Sequence, residues 1–299
     1  MTALLVLVPL FLLVAAGYAL RSTGFLPEEF RPAMERLAYW VCFPALIVSN
    51  LATASFAEFP ILPVAGALVG GVCISAALAL FLAPRLGLVD GQASAALGAS
   101  LRPNIYMGAA GAMVLSSDYG LTLAALILLV LMPLVEALCA GHASLASQGD
   151  VRARSAVPAI IGNPLILAAA VGVTLNKTGV FLPPWLFGSL EMAGNAALPL
   201  GLIALGASLS FTSLAGHGRT ILLAAPLKLL VLPGLVVLAC RLFNVPEVST
   251  AVAALFTGAS ASHAAMRPTL PGEDEALQAA ITIQTLFSIG TLPLLLLVI

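Results

Sequence analysis

The stretch Leu101-Arg102-Pro103-Asn104-Ile105-Tyr106-Met107-Gly108 sets a cation, a proline and an amide in the middle of a long apolar segment. Without them the segment reads as a plain membrane-crossing helix. Proline has no backbone N–H, and its ring clashes with the carbonyl four residues back, here that of Ala99. In hydrocarbon a freed carbonyl must find a partner inside the protein or in a water-filled cavity. The stretch therefore predicts a broken helix beside a cavity. Arg102 points the same way, because a guanidinium near the bilayer centre is costly and usually serves a pathway or a binding site. The plainer reading is a kinked helix whose arginine snorkels to the interface; Gly98 and Gly108, on either side of the break, favour the first.

Outward from this stretch, the 299 residues are 61% hydrophobic and only 8% charged, against about 25% charged in soluble domains. Apolar runs of about twenty residues recur along the chain, each long enough to span a bilayer as a helix. Strand-like alternation is absent, so the expected class is an all-α integral membrane protein. The first run, Leu4 to Leu20, is preceded by no lysine or arginine and closed by no small-residue cleavage site, which makes it a retained span. Cys42, Cys73, Cys139 and Cys240 lie singly in apolar runs, and His142, His217 and His263 are equally dispersed. Neither set has metal-ligand spacing. A net charge of −1 with scattered basic residues excludes a nucleic-acid patch.

Apolar length and turn residues predict ten spans near 3–20, 35–53, 61–83, 93–116, 119–139, 155–175, 186–208, 220–241, 249–268 and 276–298. An even count puts both termini on one side. With the termini outside the cytoplasm, seven arginines fall in inner loops (Arg21, Arg31, Arg36, Arg85, Arg152, Arg154, Arg219) and two basic residues, Lys177 and Arg241, in outer ones, in keeping with the excess of cations on the cytoplasmic side. The polar segment 141–154 then reads as a cytoplasmic linker between a first five-helix repeat, 1–140, and a second, 155–299. A shift of 155 residues aligns Gly17, Leu20, Thr23 and Gly24 with Gly172, Leu175, Thr178 and Gly179. The same shift aligns Pro44, Ala52, Ser55 and Phe56 with Pro199, Ala207, Ser210 and Phe211. Five spans per copy invert the second copy relative to the first. Inverted repeats are typical of secondary transporters, whose site lies where interrupted helices of the two halves meet.

The repeat demands that span nine be interrupted like span four. Its centre, Thr257-Gly258-Ala259-Ser260-Ala261-Ser262-His263, is rich in small and hydroxyl residues, which suit either close helix packing or a binding role. Arg267 beside Pro268 reads as the cytoplasmic end of that span. A serine-hydrolase reading of Ser260, Ser262 and His263 fails, since neighbours in a helix point in different directions and no other span offers a base with an orienting acid. Lys228, some eight residues into span eight, needs a partner or water; binding a substrate anion and pairing with Glu136 are both open. Glu35 and Glu191 read as interface residues, and Asn50, Asn163 and Asn195 as intramembrane amides.

Three stretches together resemble the auxin efflux carrier family, within the bile/arsenite/riboflavin transporter superfamily. They are Phe43-Pro44-Ala45-Leu46, the Arg102 to Gly108 stretch, and Gln284-Thr285-Leu286-Phe287-Ser288-Ile289-Gly290-Thr291-Leu292-Pro293. The resemblance implies a scaffold bundle of spans 1, 2, 6 and 7, which forms a homodimer contact, and a transport bundle of spans 3–5 and 8–10 with broken spans 4 and 9 crossing in it. It further implies elevator-type transport of an organic anion such as auxin, malate or malonate across a bacterial inner membrane. Asn104 matches the family's substrate-contacting asparagine. In span nine Gly258 to Ser262 stand where the family usually has a proline. The expected ligand set is Arg102, Pro103 and Asn104, with Tyr106, Ser260, Ser262, His263 and Lys228 lining the cavity. No cofactor or metal is expected, and Na+ or H+ coupling is open. The competing class is a receptor that senses the anion without moving it.

Overall fold

In the computed structural model, which describes residues 3–27, 29–56, 59–146, 161–261 and 270–299, every regular element is helical. In chain order these are α1 (Ala3–Ser22), α2 (Phe30–Leu37), α3 (Phe43–Ala52), α4 (Ile61–Leu82), α5 (Asp90–Leu101), α6 (Ile105–Ala146), α7 (Pro164–Thr178), α8 (Pro184–Asn195), α9 (Ala197–Ser208), α10 (Gly218–Pro226), α11 (Leu232–Leu242), α12 (Glu247–Gly258) and α13 (Glu273–Val298). Five stretches among the described residues are long and apolar enough to cross a membrane: Ile61–Leu86, Asp90–Leu145, Pro184–Ser208, Gly218–Leu242 and Glu273–Val298. Leu7–Ser22 and Pro164–Thr178 are apolar but shorter.

Leu12, Leu62, Phe81, Leu222 and Leu297 are exposed, whereas Ser75, Asn104, Ser260, Thr282 and Gln284 are fully buried. Polar groups inside and leucines outside invert the pattern of a soluble protein and suit a lipid surround. The chain is an all-helical, multi-pass membrane protein.

Prolines shape several elements. α2 runs into α3 through a π-helical turn, Ala38–Cys42, and α10 into α11 through another, Leu227–Val231. Each turn is followed two residues on by a proline, Pro44 or Pro233. The ring cannot tolerate the carbonyl four residues back, and widening the helix absorbs the clash. α6 is interrupted at Ser116 (φ −154°, ψ 32°) and Ser117 (φ 43°, ψ −125°). The chain folds back there: a Cβ on Gly120 would lie 1.9 Å from the carbonyl oxygen of Ala112, although eight residues of straight helix would separate the two by about 12 Å. α6 then continues to Ala146, so Gly141, expected to open the inner loop, is helical; 147–160 lie outside the described residues.

Two groups of helices result. In one, α1 and α2 pack on α9, and α3 packs on α7 and α8; in the other, α4 packs on α11, α5 on α13, and α6 and α11 on α12. Missing side chains permit the tightest contacts of the first group. A Cβ on Gly17 would fall 2.0 Å from the Ile203 carbonyl oxygen, and one on Gly172 would fall 2.8 Å from Leu51 Cβ and 3.4 Å from Val48 Cα. Polar anchors follow the same rule. Arg21 Nη1 donates to the carbonyls of Ala207 (3.1 Å) and Leu209 (2.9 Å). Asn176 Nδ2 donates to those of Ala52 (3.1 Å) and Ala54 (2.8 Å). Apart from Leu51, every residue in one set has its counterpart 155 positions away in the other: 17 and 172, 48 and 203, 21 and 176, 52 and 207, 54 and 209. The helix ends agree too. Thr23 Oγ1 bonds the carbonyls of Ala19 and Leu20, Thr178 Oγ1 those of Thr174 and Leu175, and Gly24 and Gly179 follow at φ 75° and 66°.

Candidate functional site

α5 ends at Leu101, and Arg102 is extended (φ −63°, ψ 129°) before α6 starts at Ile105. Asn104, fully buried, organises the restart. Its Oδ1 accepts from the backbone N–H of Tyr106 (3.1 Å) and Met107 (2.9 Å), satisfying two donors at the head of α6. Its Nδ2 donates to Ser260 Oγ at 3.0 Å. Ser260 belongs to a second non-helical stretch: α12 ends at Gly258, and Ala259 is extended (φ −70°, ψ 159°).

Gln284 of α13 joins the two stretches. Its Oε1 accepts from the Ala261 N–H at 2.9 Å, while its Nε2 donates to the carbonyls of Ala99 (3.0 Å) and Ala224 (3.3 Å). The carbonyl that Pro103 deprives of its helical partner is therefore satisfied by an amide from the end of the chain. Sequence reasoning identified the orphan but not its partner. The signal was present, since Gln284 is one of two amides in an apolar final span and the one nearer its middle.

Tyr106 lies across the two groups of helices. Its ring meets Phe43 edge to face (5.6 Å, 74°) and fills the notch left by Gly201, where a Cβ would stand 2.0 Å from Tyr106 Cδ1. Its hydroxyl is buried and has no hydrogen-bond partner among the described residues. Arg102 is held by Glu136, Nη1 to Oε1 at 2.8 Å. This removes one reading of Lys228: Glu136 belongs to Arg102. Lys228 is fully buried in the Leu227–Val231 turn, and its Nζ has no partner among the described residues. Ser262 and His263, both expected to line the site, and Arg267 lie outside the described residues.

A cavity of about 540 Å³ lies where α3 and α8, from the first group of helices, face α6 from the second. Its polar lining includes Asn50, Thr53, Asp118, Tyr119, Glu191 and Asn195. None of the described ligand candidates lines it. Asn104 and Ser260 are brought together, Gln284 bonds the backbone beside each stretch, Arg102 is held by Glu136, and none of the four lines the open space. Among the described lining residues there are two carboxylates and no cation. The reversal at Ser116 and Ser117 carries Asp118 and Tyr119 to its wall, where Tyr119 stacks on Phe59 (4.6 Å, 20°) and its hydroxyl meets Ser249 Oγ at 3.0 Å.

Ser55 lines this cavity. Its counterpart 155 residues on, Ser210, is bonded instead to α13: its N–H donates to Thr282 Oγ1 at 3.0 Å, and the Thr282 hydroxyl lies 3.3 Å from the Ser210 carbonyl. No group of three or more His, Cys, Asp and Glu placed to hold a metal ion occurs among the described residues. No protein-family model matches the chain, and no curated protein does.

Proposed function

We propose that the chain is a ten-span secondary transporter built from two inverted five-helix repeats, which carries a small organic solute by alternating access. The observation that carries this reading is the contrast between Ser55 and Ser210. The two copies share their anchors at a constant offset, yet one borders an open cavity and the other is bonded to α13. A pair of inverted halves held in unequal states is what a transporter open on one side requires. The exchange of contacts supports the same reading. Swapping the halves turns α1 against α9 into α7 against α3, and α5 against α13 into α12 against α6.

In this proposal the first group of helices is the scaffold, through which a homodimer forms. The second is the moving bundle of an elevator, with spans four and nine broken at Arg102–Asn104 and from Ala259. The membrane is a bacterial inner membrane with both termini outside the cytoplasm, and the cavity opens outward. The resemblance supplies the substrate class, an organic anion such as malate, malonate or an auxin-like acid. Arg102 serves it by exchanging Glu136 for the substrate carboxylate, with Asn104 beside it.

Uptake of labelled malonate into proteoliposomes tests the reading. Flux above that of protein-free vesicles, lost in Arg102→Lys because lysine lacks the planar two-pronged donor, supports it. Saturable malonate binding without flux assigns the chain to the receptor class instead. A cysteine at Gly141, modified by an impermeant reagent from outside intact cells, overturns the topology.

A further inference from the structure

We propose that the cavity between α3, α6 and α8 is a binding site for an alkylammonium group. The inference goes beyond the transporter reading and needs no flux to be tested. The volume, about 540 Å³, falls within the range of small-molecule sites, roughly 300 to 1,000 Å³.

Its chemistry is one-sided. Asp118 and Glu191 contribute two carboxylates from different helices, and no described lining residue is basic. A free dicarboxylate entering this space meets like charge, whereas a cation is attracted. The apolar component of the wall fits the same guest: Phe59 and Tyr119, stacked on one another, both line the cavity, and an aromatic ring attracts a cation over its free face through the ring quadrupole. Amide oxygens at Asn50 and Asn195 and a hydroxyl at Thr53 add acceptors at the rim. Thr122, 5% exposed, adds a further hydroxyl to the wall that can bond a guest or its water shell.

Sodium and water alone do not need a stacked aromatic pair, and a carboxylate does not need two acids. An ammonium carbon shell uses both. The ammonium belongs either to a zwitterionic substrate or to a separate co-substrate.

Isothermal titration calorimetry of the purified full chain in detergent micelles tests this, with tetramethylammonium chloride, glycine betaine and sodium malonate as probes at constant ionic strength. Tetramethylammonium is expected to bind saturably. Asp118→Asn and Glu191→Gln should each weaken it about tenfold, and Phe59→Leu about threefold, without change in the unfolding temperature. Tighter binding of glycine betaine than of tetramethylammonium assigns the ammonium to the substrate; equal binding assigns it to a co-substrate. No saturable binding of tetramethylammonium, binding indifferent to both acid substitutions, or malonate binding that the same substitutions strengthen would each overturn the proposal.

Discussion

Ser55-Phe56 and Ser210-Phe211 close the same short motif in the two halves of the chain, and the helices before them are anchored alike, by Asn176 in one case and Arg21 in the other. Beyond the anchors they diverge. Ser55 stands at an open cavity, while Ser210 is bonded to Thr282. The difference teaches where rigidity and freedom lie. Matched contacts belong to the helices that pack α1 on α9 and α3 on α7, and the mismatch appears where those helices meet the other group. The same short motif thus meets different surroundings in its two copies, and the proposed exchange of conformations predicts that the two surroundings trade places.

The comparison breaks most severely if the two ends do not exchange. Ser210→Cys with Thr282→Cys in a background lacking the native cysteines should oxidise to a disulfide and abolish uptake, with activity returning on reduction. Uptake at the full rate with the crosslink complete would separate transport from any opening at Ser210.

Gln284→Leu is the next largest. It leaves the Ala261 N–H and the Ala99 carbonyl without partners, and each buried orphan costs about 1–3 kcal/mol, so a loss of about 3 kcal/mol is expected in unfolding titrations in mixed micelles. An effect below about 1 kcal/mol would mean that water replaces the amide.

The paired glycines sharpen the comparison. Gly17→Ala drives a methyl against a backbone carbonyl at 2.0 Å, whereas Gly172→Ala meets mainly a side-chain carbon at 2.8 Å. Overpacking costs of about 2 and about 1 kcal/mol follow, read as the difference between the two variants in the same assay. Equal losses would show that the backbone at Ile203 yields as easily as Leu51.

The smallest effect concerns the anchors. Arg21→Ala should cost about 1.5 kcal/mol and Asn176→Ala about 1 kcal/mol, because a charged donor makes the stronger bonds to two carbonyls. A greater loss from Asn176→Ala would reverse that ranking, and matched thermal unfolding curves would reveal it.

Much of this was legible in the chain. The apolar runs, the proline at the break and the offset of 155 residues are local or periodic signals, and they led to an all-helical membrane protein with Arg102, Asn104 and Ser260 close to one another. The π-helical turns were not legible, because Pro44 and Pro233 announce a clash without saying how the helix absorbs it. Lys228 was open between a substrate anion and Glu136, and the structure gives Glu136 to Arg102. The cavity escaped because its walls come from α3, α6 and α8, whose residues are distant in sequence and individually ordinary for a membrane interface.

By itself the sequence determined the solvent, the helical class and the orphaned carbonyl at Ala99, since hydrophobicity, helix length and the missing N–H of proline act within a few residues. Tertiary structure alone decided that Gln284 satisfies that carbonyl, that Asn104 meets Ser260 across 156 residues, and that the open space is lined by carboxylates rather than by Arg102. Those outcomes depend on how helices far apart in the chain are brought together, and a buried polar group takes whichever partner the packing delivers.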